Sequence, residues 1–304
     1  MPADSISQEM AQQIEVPALS GTAPPAKRIR FTAGVILVSF LLAAIYYRVL
    51  GKLVLDWWQI TDFSHGFLVP VFSGYLIWIK RKTLLETPIA PAWSGIVLVI
   101  LGLLTLLLGV YGAELFFSRV SLILVLGGLV LWFGGWQLLR ELRFPLLVLL
   151  LAIPIPAIIL NQITIPLQVL ASKLASGLLP WFGVPVLREG NVIVLPSMNL
   201  EVAEACSGIR SLISLITLAV FYSYFIEKSI VRRLILVVAS IPIAIAANAV
   251  RIFGTGLCVQ YWDPDKAEGF FHEFSGWVIF LVSLGSLLAI HRILSSFPLG
   301  RRLA

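Results

Sequence analysis

The feature that most constrains this chain is a series of long apolar stretches, several of which approach or exceed the length that a helix needs to cross a bilayer. Such a helix takes about 20 apolar residues. Hydrophobic residues make up 59% of the chain and charged residues 12%, well below the charged fraction of a soluble domain. The alternation of a membrane β-barrel is missing, so the spans are predicted to be helices. The sequence therefore predicts an all-α polytopic membrane protein.

About eight transmembrane helices are predicted from these stretches and from the polar or basic residues between them. They cover residues 31–50, 66–79, 93–111, 115–139, 144–160, 208–226, 234–257 and 274–290. Pro154 and Pro156 predict a kink or an early end in the fifth span. Residues 1–26 are polar and are predicted to form a flexible cytoplasmic tail, and residues 27–304 a single transmembrane domain.

The longest connection, between the fifth and sixth spans, is predicted to have structure of its own. Its pattern from Pro166 to Leu179 is amphipathic and predicts a helix in the plane of the membrane interface. The apolar stripe contains Leu167, Leu170, Leu174 and Leu178, and the polar stripe contains Gln168, Ser172 and Ser176. Residues 191–195 and 199–203 then predict two short strands, which form a hairpin around Pro196-Ser197-Met198.

The positions of the basic residues predict the orientation of the chain. Most of the 22 Lys and Arg residues lie before the first span, after the second, fourth and sixth spans, and at the C-terminus. Because positive charge concentrates on the cytoplasmic side of a membrane, both termini are predicted to be cytoplasmic. The net charge of +6 is spread over short loops, so no nucleic-acid partner is expected.

A thiol is the first candidate for chemistry. Cys206 lies where the long connection meets the sixth span, and helical spacing places Arg210 on the same face one turn further on. A nearby cation and a helix N-terminus both favour the thiolate, which is the nucleophilic form. Glu204 and Ser207 make the surroundings polar, which favours a nucleophile over a small buried residue. A disulfide with Cys258 is a further alternative, because both thiols are predicted to face the oxidising side.

Two polar residues in later spans are predicted to lie at the same outer face as Cys206. Arg251 lies inside the seventh span with Asn248 one turn away, and a charge in a span normally faces a polar interior. Arg251 is predicted either to hold the thiolate or to stabilise an oxyanion. The alternative is that its side chain extends to the outer interface without a role in chemistry. His272, at the outer end of the eighth span, is the candidate base and acid, unless it is an ordinary interfacial aromatic. His65 is its rival on the outer side.

Arg119 and Arg210 are further cations near the outer face. For each of them the structural alternative is pairing with a carboxylate, for example Glu114 or Glu201, and this explanation is favoured for Arg119. His, Cys and carboxylates never occur at the spacing of metal ligands, and no phosphate-binding glycine loop is present. Neither a metal nor a cofactor is therefore expected.

Four motifs, in this order, resemble the exosortase/archaeosortase family over residues 31–292. They are Asp62-Phe63-Ser64-His65-Gly66-Phe67-Leu68, Glu204-Ala205-Cys206-Ser207-Gly208-Ile209-Arg210-Ser211-Leu212, Asn248-Ala249-Val250-Arg251-Ile252 and His272-Glu273-Phe274-Ser275-Gly276-Trp277. The resemblance implies a bacterial membrane cysteine transpeptidase whose catalytic residues fall on Cys206, Arg251 and His272. Archaeal relatives can carry arginine at the position of the histidine.

The resemblance also implies the substrates and the place of action. Family members are proposed to process exported proteins that end in a Pro-Glu-Pro motif, one transmembrane helix and a basic tail, and the family is associated with exopolysaccharide production. This implies a multi-pass protein of the bacterial inner membrane, in contact with membrane lipids, with its active site facing the periplasm. The alternative is a transporter or a lipid- or polysaccharide-handling protein without covalent chemistry, which would place ionisable groups at mid-membrane in paired halves.

Overall fold

A computed structural model of the chain describes residues 25–112, 114–202, 208–262 and 270–296, without the side chains of residues 25–33, 35 and 270–273. The chain divides into two units, residues 1–48 and residues 49–304. The described part of the first unit is helical and forms the beginning of helix α1 (Pro25–Gln59). The contacts discussed below all lie within the second unit.

The described part of the chain is mostly helical, as predicted. After α1 come a 3-10 helix, Thr61–Phe67, and then α2 (Leu68–Ile79), α3 (Arg81–Glu86), α4 (Ser94–Tyr111) and α5 (Leu115–Val148). A second 3-10 helix, Leu149–Ala152, leads to α6 (Ala157–Leu178). A third 3-10 helix, Leu179–Phe182, directly follows α6. Helices α7 (Gly208–Ile226), α8 (Ile230–Tyr261) and α9 (Phe270–Ser296) follow a small sheet.

Helix α5 is two antiparallel arms that join at Gly135, a residue with φ +86° and ψ −176°. A Cβ on Gly127 would lie 4.0 Å from Cδ1 of Leu139 and from Cδ1 of Leu146, so residues 136–148 fold back along residues 115–134. The first arm packs on α4, and Ala90 N donates to Gly134 O at 3.2 Å beside the reversal. The arms correspond to the predicted fourth and fifth spans, and the chain turns where only glycine readily adopts the backbone angles.

The second arm of α5 pairs with α2. Ser73 Oγ donates to Pro145 O at 2.8 Å, and Lys80 Nζ lies 2.9 Å from Glu141 Oε2. The arm continues through the second 3-10 helix to Ala152, earlier than the predicted end at residue 160. Residues 153–156, which contain both prolines of the predicted break, separate it from α6. The prolines therefore end this helix rather than kink it.

The predicted amphipathic helix is longer than expected, because α6 begins at Ala157 and runs through Pro166. Its buried face consists of Ala171, Ser172 and Ala175, whereas Leu170, Leu174 and Leu178 of the predicted apolar stripe are exposed on another face, as an apolar stripe that contacts lipid would be. Ser172, assigned to the polar stripe, is fully buried and donates to Gly190 O at 2.9 Å. Small residues face the protein here because they let neighbouring backbone approach closely.

The predicted hairpin is present as two strands of a three-stranded antiparallel sheet with the order β1-β2-β3. The strands are β1 (Leu187–Glu189), β2 (Val192–Val194) and β3 (Asn199–Glu201). Val194 pairs with Asn199 across the Pro196-Ser197-Met198 turn, and β1 was not predicted. Three alternating residues give too weak a pattern to identify a strand. Ile193 and Leu200 are buried against α6 and the C-terminal part of α8.

Helices α7, α8 and α9 form a bundle. Leu212 and Leu215 of α7, Leu236 of α8 and Leu287 of α9 share one buried cluster. We call the end of this bundle that carries residues 208–211, 248–251 and 274–277 the motif end, and the opposite end the distal end. At the distal end, Tyr222 Oη lies 2.7 Å from His291 Nδ1, which joins α7 directly to α9.

Seven helical segments within the described residues are long and apolar enough to cross a membrane: Ile36–Gln59, Ser94–Tyr111, Leu115–Ala152, Ala157–Phe182, Gly208–Ile226, Ile230–Tyr261 and Phe274–Ser296. The folded-back arms of α5 account for two predicted spans within one of these segments. Helix α2 has 12 residues, fewer than the roughly 20 of a full crossing. The fold class is confirmed as an all-α polytopic membrane protein of about eight spans.

Candidate functional site at the motif end

A cavity of about 770 Å³ opens between α7, α9 and the first 3-10 helix, with Arg251 of α8 in its wall. At the motif end its lining includes the polar side chains of His65, Arg210 and Arg251, together with Trp277. Further along α7 the lining changes from Ser211, Ser214 and Thr217 to Leu218 and Phe221. Two guanidinium groups therefore face one space that becomes apolar with depth.

The first 3-10 helix is held in place by the residues of the early motif. Trp57 Nε1 donates to Ala152 O at 2.7 Å in a buried hydrogen bond. A Cβ on Gly66 would lie 2.3 Å from the same indole nitrogen, so only glycine fits against the tryptophan. Phe63 is buried in the cluster that contains Trp57 and Ala152. This packing fixes the 3-10 helix that carries Asp62 and places His65 in the cavity wall.

Arg210 is bound to the early motif. Its Nε lies 3.1 Å from Asp62 Oδ1, and its Nη2 donates to Thr61 Oγ1 at 2.5 Å. The Arg210 side chain is 52% exposed and the Asp62 side chain 23% exposed, so solvent screens the pair. Arg210 therefore pairs with a carboxylate, which is Asp62 and not the suggested example Glu201. The carboxylate instead fixes the direction of a cation at the cavity.

Arg119 also pairs with a carboxylate, as expected, but the partner is not Glu114. Its guanidinium binds Asp56, and its side chain is almost fully buried. An arginine buried in an apolar region is stable only with such a partner. Arg119 does not line the cavity, so its contact is structural.

The motif ends of α7, α8 and α9 meet at two glycines. A Cβ on Gly208 would lie 2.7 Å from Asn248 Nδ2, so the start of α7 rests on that buried amide. A Cβ on Gly276 would lie 3.4 Å from Arg251 Nη2, so the guanidinium packs against the backbone of α9. The structure thus brings Asn248 and Arg251 to the places where the other two motif helices begin.

His65 lines the cavity, but both ring nitrogens are turned towards the protein. Nε2 lies 3.2 Å from Leu151 O, and Nδ1 is buried without a hydrogen-bond partner among the described residues. Burial lowers the pKa of His65 below its usual 6.5, while the carbonyls of Leu151 and Asp62 oppose the shift. The neutral imidazole is therefore favoured, and it ties the first 3-10 helix to the second.

Several predicted site residues lie outside the described part of the chain. These are Glu204, Cys206 and Ser207, within residues 203–207, and the side chain of His272 in α9. Cys258, the suggested disulfide partner, is half-buried in α8 and packs against the cluster beneath the sheet. The catalytic assignments and the disulfide therefore stay predictions.

Sequence reasoning missed two residues of the site. Asp62 and Thr61 hold Arg210, although Asp62 belongs to a motif that had been recognised without a role for its carboxylate. The sequence signal for this contact was the carboxylate of Asp62, because a single acidic side chain near the end of a membrane span needs a cation or water as its partner. Its partner could not be inferred, because the two residues are 148 positions apart.

Residues 57–289 match the family model described as transmembrane exosortase (Exosortase_EpsH). No curated protein and no solved structure is similar enough to this chain to count as a match. The matched region begins at the tryptophan that anchors the early motif and contains every described residue of the cavity. Membership of this family supports a transpeptidase-type role in the membrane. The chain belongs to the transmembrane exosortase family.

Proposed function

We propose that this protein is a cysteine protease and transpeptidase that cleaves C-terminal sorting signals of exported proteins through a thioester at Cys206. The observation that carries the proposal is the cavity at the motif end, into which Arg210 and Arg251 project from two helices. Two cations in a partly enclosed site favour an anionic nucleophile and an anionic transition state.

The positions of Cys206 and His272 along the chain support the proposal that both lie near this cavity. Cys206 is two residues before Gly208, which keeps their Cα atoms within about 7 Å of each other. Gly208 contacts Asn248, one turn from Arg251. His272 is four residues before Gly276 in α9, or about 6 Å along the helix axis. Gly276 itself contacts the Arg251 guanidinium.

The proposed reaction has two steps. The Cys206 thiolate attacks the scissile carbonyl, and Arg251 donates hydrogen bonds to the oxyanion. The C–N bond breaks as His272 gives a proton to the leaving amine, which leaves an acyl thioester. An acceptor amine, another nucleophile or water then attacks the thioester as His272 takes its proton, and the thiolate is released. The substrate's basic tail stays in the cytoplasm and its cleavage site at the periplasmic face, so hydrophobic length selects the scissile bond.

Arg210 is the described cation best placed to attract the glutamate of a Pro-Glu-Pro motif. It is half exposed and lines the cavity, whereas Arg188 donates to Gly190 O in the turn between β1 and β2. Lys266 lies outside the described residues. A charge-reversing change at Arg210 is expected to weaken processing more at low salt than at high salt, because salt screens exposed charges. No salt dependence would remove the support for this role.

The test uses single-cysteine variants, because the chain has two cysteines. In cells that express a tagged reporter with a Pro-Glu-Pro motif, a transmembrane helix and a basic tail, Cys206→Ala is expected to abolish processing. The matched control, Cys258→Ala, is expected to retain it. A thiol reagent that cannot cross the inner membrane should label Cys258→Ala and not Cys206→Ala.

The outcomes separate the two candidate classes. Normal reporter processing by Cys206→Ala would refute the covalent mechanism and would favour a transporter or lipid-handling protein. Loss of processing in Arg251→Ala with unchanged thiol labelling supports a role in the transition state. Retained processing in His272→Ala would refute only the acid–base role.

A further inference from the structure

The cavity at the motif end is a cleft between two helices that separate along their length. At the distal end, α7 and α9 are joined by the contact between Tyr222 Oη and His291 Nδ1, 2.7 Å apart. Towards the motif end, the same two helices line opposite sides of the cavity, with Ser214 on α7 and Phe280 on α9. The cleft is therefore closed at one end and open where the catalytic motifs meet.

The length of the cleft can be read from α7. Its lining residues run from Arg210 to Phe221, eleven positions apart, or about 16 Å along the helix axis. This is about half of the roughly 30 Å hydrocarbon thickness of a bilayer. An occupant that enters from the motif end would therefore contact the protein through one half of the membrane only.

The α7 side of the cleft carries small hydroxyl residues. Ser211, Ser214 and Thr217 recur at helical spacing along this side, and Gly276 lies opposite on α9. Small residues let a second helix approach closely, and this packing drives helix association inside membranes. Leucine or phenylalanine at these positions would keep a second backbone at a distance.

Thr217 supplies an independent indication of a ligand. Its side chain is 3% exposed, and its Oγ1 has no hydrogen-bond partner among the described residues. Threonine hydroxyls in other helices bond to the carbonyl one turn earlier, as Thr105, Thr164 and Thr255 do. A buried hydroxyl without a partner costs free energy unless something that enters the cavity satisfies it.

We infer that this cleft seats the half of the substrate's transmembrane helix that adjoins the cleavage site. The inference rests on the proposed function and identifies the contact surface of that site. The glutamate of the Pro-Glu-Pro motif, which precedes the helix, faces Arg210. The small or polar residues of the helix face the α7 hydroxyls, and its apolar side chains contact Phe221, Trp277 and Phe280. The remaining half of the substrate helix lies in lipid.

The test is disulfide cross-linking in membranes. Thr217→Cys is made in a Cys206→Ala, Cys258→Ala background and combined with single cysteines along the reporter helix. Gly285→Cys is the matched control, because a Cβ there meets nothing within 4 Å. Residue 217 is five positions before Tyr222, and residue 285 is six positions before His291. Because Tyr222 and His291 are in contact, residues 217 and 285 lie at similar distances from the distal end of the bundle.

Cross-links from Thr217→Cys are expected at every third or fourth reporter position, in the half of the helix next to the cleavage site. Gly285→Cys is expected to give none. Equal cross-linking from both positions, or none from Thr217→Cys and Ser214→Cys, would overturn the inference. Cross-linking needs no catalysis, so a wild-type enzyme that fails to process the reporter yet cross-links as expected would refute the proposed function alone.

A second variant tests the same surface through activity. Thr217→Leu is expected to lower reporter processing about tenfold or more, because the larger side chain separates the two helices. Gly285→Leu should leave processing unchanged. Labelling of Cys206 by the impermeant thiol reagent should stay normal in both variants if they fold. Normal processing by folded Thr217→Leu would contradict the proposed seat.

Discussion

The reversal at Gly135 decides how many times the chain crosses the membrane, and Gly135→Ala tests it. A side chain at φ +86° costs about 1–3 kcal/mol. The new Cβ would lie 1.9 Å from Ala90 O, so the hydrogen bond from Ala90 N to Gly134 O must also be disturbed, at a further 0.5–1.5 kcal/mol or so. The expected loss is about 1.5–4.5 kcal/mol, or roughly 10- to 2000-fold in the folding equilibrium.

The assay is thermal unfolding of the purified protein in detergent. Gly135→Ala is expected to lower the Tm by several degrees, whereas Gly74→Ala is the matched control in α2. A Cβ on Gly74 meets nothing within 4 Å, so alanine there should leave the Tm unchanged or raise it slightly. Equal Tm values for the two variants would refute the reasoning about Gly135.

A direct measurement of the fold-back is also available. Gly127→Cys and Leu146→Cys are expected to be joined by a short bifunctional thiol reagent in a background without native cysteines, because a Cβ on Gly127 lies 4.0 Å from Leu146 Cδ1, which keeps the two Cβ atoms within about 7 Å. In one continuous helix the two positions, 19 residues apart, would be about 28 Å from each other. Absence of the cross-link with this reagent would show that the two arms are not paired.

Three further predictions concern the early motif. Asp62→Asn is expected to lower reporter processing by releasing Arg210, while the Tm changes little because an exposed pair contributes only about 0–1 kcal/mol; a large fall in Tm would show a structural role instead. Because burial lowers the pKa of His65, the unfolded state binds more protons there, and stability should fall as the pH drops below 6.5 towards the lowered pKa. His65→Gln should flatten that part of a Tm–pH profile, and an unchanged slope would contradict the assignment. Trp57→Phe leaves the buried carbonyl of Ala152 without its hydrogen-bond donor and should lower the free energy of unfolding by about 1–3 kcal/mol, measured as a lower Tm. The control Trp58→Phe, at a position that is 79% exposed, should leave the Tm unchanged.

The candidate site was partly accessible to sequence reasoning. Arg251 was identified because a charge inside an apolar span requires a polar environment, and it does line the cavity together with Arg210. His65 was proposed as a rival base, but its Nε2 lies 3.2 Å from the carbonyl of Leu151 and its Nδ1 is buried. The direction of this side chain depends on the packing of the 3-10 helix, through Phe63, in one buried cluster with Trp57 and Ala152, which no local pattern encodes.

The sequence by itself determined the apolar helices and the family, because a bilayer imposes length and hydrophobicity locally and because the motifs are contiguous. It also placed β2 and β3, whose turn lies between them in the chain. Tertiary structure decided which face of α6 is buried, which carboxylate binds each arginine, and where α7 and α9 separate. Those features depend on contacts between residues far apart in sequence, such as Arg210 with Asp62 and Tyr222 with His291. These contacts form only when the helices pack together, so they cannot be inferred from any single stretch of the sequence.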